Sequence, residues 1–70
     1  MKLYFQHSDE TLDYIAEVES DTNVYELISK DLCKRNPKYK VPYTRSWTDN
    51  NGWRWIDVGS WSEFYIIRGD

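Results

Sequence analysis

The sequence predicts an α+β domain: a single antiparallel β-sheet, in the order β-β-α-β-β-β, with one helix packed on one face. Three observations lead there. Short apolar–polar alternations occupy both ends of the chain, a central stretch switches to helical spacing, and Asp49-Asn50-Asn51-Gly52 joins two further alternating runs. A chain of 70 residues has room for one core, and no linker, repeat or low-complexity segment divides it, so residues 1–70 read as one domain.

The first strand is Lys2 to Gln6 (KLYFQ), with Leu3 and Phe5 on one side and Tyr4 and Gln6 on the other. His7-Ser8-Asp9-Glu10 has turn composition, and Leu12 to Glu19 alternates again. Leu12, Tyr14, Ala16 and Val18 fall on one side of this second strand and Asp13, Ile15, Glu17 and Glu19 on the other. So short a loop makes the two strands antiparallel.

From Ser20 the period changes. Asn23 followed by Glu26 is a capping-box variant, in which the Asn side chain accepts an early helical N–H and Glu26 reaches back. Val24, Leu27, Ile28 and Leu32 then form one apolar stripe, and Asn36-Pro37 ends the helix, with Asn36 suited to a left-handed cap. Asp31 lies within that stripe, and Arg35 one turn later is its expected partner. Cys33 projects away from the stripe and is expected to be exposed.

Val41 to Thr48 and Trp53 to Gly59 are the next two strands. Their connection suits a type I turn followed by a glycine in the left-handed conformation, which pairs Asp49 with Trp53. Tyr43, Arg45 and Trp47 then share a face with Trp53, Trp55 and Asp57, while Thr44 and Ser46 share the other with Arg54, Ile56 and Val58. A tight turn at Asn51-Gly52 would reverse the two faces. Gly59-Ser60 breaks the run, and Ser62 to Arg68 makes the last strand, with Phe64 and Ile66 on one face and Tyr65 and Ile67 on the other. One helix covers one face of a sheet, so its stripe is expected over Leu3, Phe5, Ile56, Val58 and two residues of the last strand. The other face is left with rings and no cover from this chain, the usual mark of an interaction site.

The stretch from Tyr39 to Tyr65 holds all four tryptophans and three of the six tyrosines. Charge follows the same division: residues 1–31 carry eight acids against Lys2 and Lys30, residues 32–55 carry six cations against Asp49, and the whole chain is at −3. The binding residues expected from this pattern are Tyr43, Arg45, Trp47, Trp53, Trp55 and Asp57, flanked by Arg54 and Trp61. Rings supply buried contact, arginines clamp an anion or carboxylate, and Asp57 accepts a hydrogen bond.

Chemistry is harder to find. His7 is the only histidine and Cys33 the only cysteine, so neither a Ser/His nucleophile pair, a disulfide nor a cysteine-based zinc site is expected. No cofactor is called for, and the chain reads as a non-enzymatic binding protein. A lone thiol, no secretory leader and no long apolar run point to a cytoplasmic protein with no membrane span. A small chain without disulfide or metal gains stability from self-association, so a homo-oligomer is expected. Single-stranded nucleic acid is an alternative ligand for rings interleaved with arginines, although the overall acidity weighs against it. A purely structural oligomer is a third reading.

The segment WIDVGSWSEFYII, with the preceding YTRSW and the Asn-Gly turn, resembles a type of small uncharacterised protein encoded by phages and prophages of Gram-positive bacteria. In these a similar start (MKLYFQHSDETLDYIAEVES), a short helix and a closing D-V-G-S-x-x-E-F-F-like strand recur, and Phe64-Tyr65 stands here where two phenylalanines are common. The resemblance implies an accessory phage product acting inside the host bacterial cell, a class in which inhibitors of host defence are frequent. Its partner would be a host defence protein or a nucleotide-derived signal. It carries over no catalytic residues.

Overall fold

The computed structural model describes residues 1–37, 45–59 and 62–69. Within them the elements are β1 (Lys2–Gln6), β2 (Leu12–Glu17), α1 (Val24–Arg35), β3 (Arg45–Thr48), β4 (Arg54–Asp57) and β5 (Phe64–Arg68). The five strands form one antiparallel sheet in the order β2-β1-β5-β4-β3. The last strand of the sequence is therefore the middle strand of the sheet. Expected positions 41–44 of the third strand, with Tyr43, and Trp61 lie outside the described residues.

Helix α1 begins where Asn23 Oδ1 accepts the N–H of Glu26 at 3.2 Å. Glu26 does not reach back as a capping box requires; its carboxylate meets Lys30 at 3.1 Å, the nearer charge one turn on. Asn36 is also corrected. It is extended (φ −146°, ψ 93°) instead of left-handed, which is the conformation that a following proline imposes on the residue before it.

The stripe of α1 packs Ile28 and Leu32 against Leu3 and Phe5 of β1, Tyr65 and Ile67 of β5, and Ile56 and Val58, with Val18 completing the buried cluster. Two ties fix the helix over the sheet. Arg35 Nε donates to Asp31 at 2.6 Å and Arg35 Nη1 to Asp13 at 3.2 Å, while the guanidinium lies 3.9 Å over the ring of Phe5. The hydroxyl of Tyr65 donates to Asp31 at 2.7 Å, so the polar residue inside the helical stripe meets a polar atom of the central strand. Burial, and then that carboxylate, hold the Tyr65 phenol well above its ordinary pKa. Cys33 is exposed.

The alternation of β2 is interrupted. Tyr4 stands opposite Tyr14 and Leu3 opposite Ala16, leaving Ile15 as an extra residue in a β-bulge. Ala16 and Val18 therefore face the helix, whereas Leu12 and Tyr14 face the other way. The uninterrupted alternation expected for Leu12 to Glu19 does not hold, because one added residue swaps the side of everything beyond it.

Candidate binding face

The β3–β4 hairpin has the bulged register: Arg45 stands opposite Asp57, Ser46 opposite Ile56, Trp47 opposite Trp55 and Thr48 opposite Arg54. Asp49 organises its turn. The N–H of Gly52 donates to the Asp49 carbonyl at 3.1 Å, Gly52 sits at φ 82°, and the N–H of Asp49 donates to the carbonyl of Trp53 at 2.9 Å. The Asp49 carboxylate accepts from the N–H groups of Asn51 (2.9 Å) and Trp53 (3.0 Å) and from Trp55 Nε1 (2.8 Å). These bonds, the Trp55 indole foremost, hold the Asp49 carboxyl below its usual pKa. Trp55 is thus aimed by the turn of its own hairpin.

Register carries this face across the sheet. Tyr14 stands opposite Tyr4, Tyr4 opposite Ile66, Ile66 opposite Trp55, and Trp55 opposite Trp47. These residues form one row running across all five strands on the side away from α1, about 19 Å long at the usual strand spacing. The rings pack on one another. Tyr4 meets Tyr14 edge-on at 5.9 Å, Trp47 and Trp55 are parallel at 6.3 Å, and Phe64 stands edge-on to both tryptophans at 6.1 and 5.7 Å. Ile66, at the centre of the row, is only 1% exposed although no helix among the described residues lies over it. The ends remain open, with Trp47 40% and Tyr14 58% exposed.

Two arginines flank the row. Arg68 lies 5.1 Å from the centre of the Tyr4 ring and 4.8 Å from that of Trp53, and Arg45 lies 5.5 Å from that of Trp47 while meeting Asp57 at 3.7 Å. Each cation shares an aromatic face, an arrangement worth about 0.5–1 kcal/mol at exposed sites.

Of the residues expected from the sequence, Arg45, Trp47, Trp53, Trp55 and Asp57 come together on this face. Arg54 does not. It turns toward the helix, where Nη2 donates to the hydroxyls of Tyr25 at 3.3 Å and Ser46 at 3.5 Å. Sequence reasoning missed Tyr4, Tyr14, Phe64 and Arg68. Phe64 already alternated with Tyr65, and Tyr4 with Phe5; what was lacking was the neighbourhood of β1, β5 and β4, which is set by pairing between the two ends of the chain.

Among the described residues no cluster of three or more His, Cys, Asp or Glu could hold a metal ion, and no helix is long and apolar enough to cross a membrane. No protein-family model, curated protein or solved structure matches the chain.

Proposed function

We propose that this protein acts by stoichiometric binding, as a non-enzymatic inhibitor whose helix-free sheet face docks on a protein partner. The observation that carries this reading is the aromatic row across all five strands, flanked by Arg45 and Arg68. Trp, Tyr and Arg are the residues that dominate protein interfaces, because they bury much area at little entropic cost. The resemblance to phage-encoded proteins supplies the setting, a host bacterial cell in which the partner is a defence protein.

Two features favour a protein over a nucleotide or a nucleic acid strand. Sandwiching a planar base between two rings takes roughly 7 Å, twice the contact distance between carbons. The Trp47 and Trp55 ring centres are 6.3 Å apart. Charge on the face is also balanced, with Lys2, Arg45 and Arg68 set against Glu17, Asp49 and Asp57. A phosphate backbone needs an excess of cations to release its counterions.

The test is capture from lysate of a Gram-positive host, using the tagged full chain and a Trp47→Ala/Arg68→Ala variant in parallel. The expected result is a defined protein retained in a one-to-one ratio by the native face and lost with the variant. Retention by both would place the binding surface elsewhere. Tight binding of a fluorescent single-stranded oligonucleotide that weakens steeply with salt would replace the inhibitor reading with the nucleic-acid one.

A further inference from the structure

β3 lies at one edge of the sheet, and all four of its residues are exposed. The N–H of Asp49 points to Trp53, and inward and outward main-chain groups alternate along an antiparallel strand. Arg45 and Trp47 therefore direct their main-chain groups to β4, and Ser46 and Thr48 direct theirs away from the sheet. Among the described residues no strand pairs with that side. A bare edge is a template for another strand.

The opposite edge is guarded. β2 is kinked by the bulge at Ile15 and carries Asp13 and Glu17, a combination of distorted ladder and like charge that blocks pairing of two copies. β3 has neither a bulge nor a proline.

We infer that β3 pairs with β3 of a second copy of this chain, antiparallel about a two-fold axis at Trp47, joining the two sheets edge to edge. Charge selects this register. It sets Arg45 of each copy opposite Asp49 of the partner subunit, on the same face. Ser46 and Thr48 then exchange main-chain hydrogen bonds with Thr48 and Ser46 of the partner subunit, so each outward group is used. Trp47 meets Trp47 of the partner subunit in a pair without main-chain bonds between them, the type in which side chains come closest. Moving the axis one residue pair either way, to Ser46 or to Thr48, separates Arg45 from Asp49. A two-fold contact is also closed, so it stops at a dimer. The aromatic row then runs unbroken through both copies.

Such a strip buries less than the roughly 1,200 Å² of a stable complex, so the dimer forms with rising concentration and is not obligatory. Sedimentation velocity of the full chain from micromolar to millimolar concentration is expected to shift from monomer to dimer. Thr48→Pro removes an N–H that faces solvent in the monomer, which an edge strand tolerates. It is expected to abolish the dimer and leave the far-ultraviolet circular dichroism unchanged. Register is read by cross-linking. Cys33→Ser/Trp47→Cys is expected to form a disulfide-linked dimer under mild oxidation, and Cys33→Ser/Ser46→Cys far less. A wild-type chain that stays monomeric throughout, a dimer that survives Thr48→Pro, or preferential cross-linking at position 46 would overturn the inference.

Discussion

The two faces of the sheet bury their centres by different means. On one, Leu3, Ile56 and Tyr65 are closed off by a helix lying across the strands. On the other, Ile66 is buried between the ring-bearing positions Tyr4 and Trp55 of the neighbouring strands. The first solution hides the covering groups as well as the covered one. The second leaves the flanking rings half-open at their outer surfaces, so the same rings that support the fold are available to a partner. A face of this kind costs little stability to expose and gains contact area when bound.

The two faces should therefore answer truncation differently. Ile56→Ala removes a side chain from beneath the helix and is expected to cost about 2–5 kcal/mol, read from urea unfolding. Ile66→Ala is expected to fall at the lower end of that range or below it, since the flanking rings can settle into the space; an equal or greater loss would mean that the ring-bearing face is as rigid as the helix-covered one. Tyr65→Phe keeps the ring and removes one hydrogen bond to a carboxylate, for an expected loss of about 1.5–3 kcal/mol. No loss would show that the Asp31–Tyr65 tie does not hold the helix to the sheet.

The two hairpins offer a finer comparison. The β1–β2 turn repeats the geometry of the β3–β4 turn: Glu10 N–H donates to the His7 carbonyl at 2.9 Å and His7 N–H to the Thr11 carbonyl at 2.8 Å. The position taken by Gly52 is held there by Glu10 at φ 73°. Gly52→Val puts a β-branched residue at φ 82°, where space is open but the backbone is strained, for an expected loss of about 1–2 kcal/mol. Glu10→Gly relieves the corresponding strain and is expected to raise stability by up to about 1 kcal/mol in thermal unfolding. A fall would show that the Glu10 side chain makes a compensating contact.

Acid separates the hairpins from the core. Asp49 is held below its ordinary pKa of 3.8, so its contribution is complete above that value and is lost as pH falls through the lower folded value. The Trp55 indole proton resonance is expected to move in acid below about pH 4, while Asp49→Asn removes that titration.

Much of this was legible in local pattern. The bulged hairpin follows from Asp49 and Gly52, the helix start from Asn23, and the shared face of Tyr65 and Ile67 from simple alternation, though not which face meets the helix. Asp31 stood out within an apolar stripe and its pairing with Arg35 was legible, whereas its second partner, the Tyr65 hydroxyl, lay hidden in a strand read as apolar. The bulge at Ile15 left no trace, because an apolar residue at the extra position looks like ordinary alternation. The full width of the aromatic face was hidden for a non-local reason: Tyr4 and Arg68 join it only because β1 pairs with β5, which depends on residues more than 60 positions apart, such as Lys2 and Arg68.

The central claim is that the ring-bearing face binds and the helix-covered face holds the fold. Titration calorimetry of the captured partner against the wild-type chain and Trp47→Ala, at matched and verified folding, tests it most directly. The expected result is a one-to-one complex weakened by about 2 kcal/mol or more, the scale of an interface hot spot, in a variant that unfolds near the wild-type urea midpoint. Unchanged affinity would contradict the account, as would a Trp47→Ala chain that unfolds as early as Ile56→Ala.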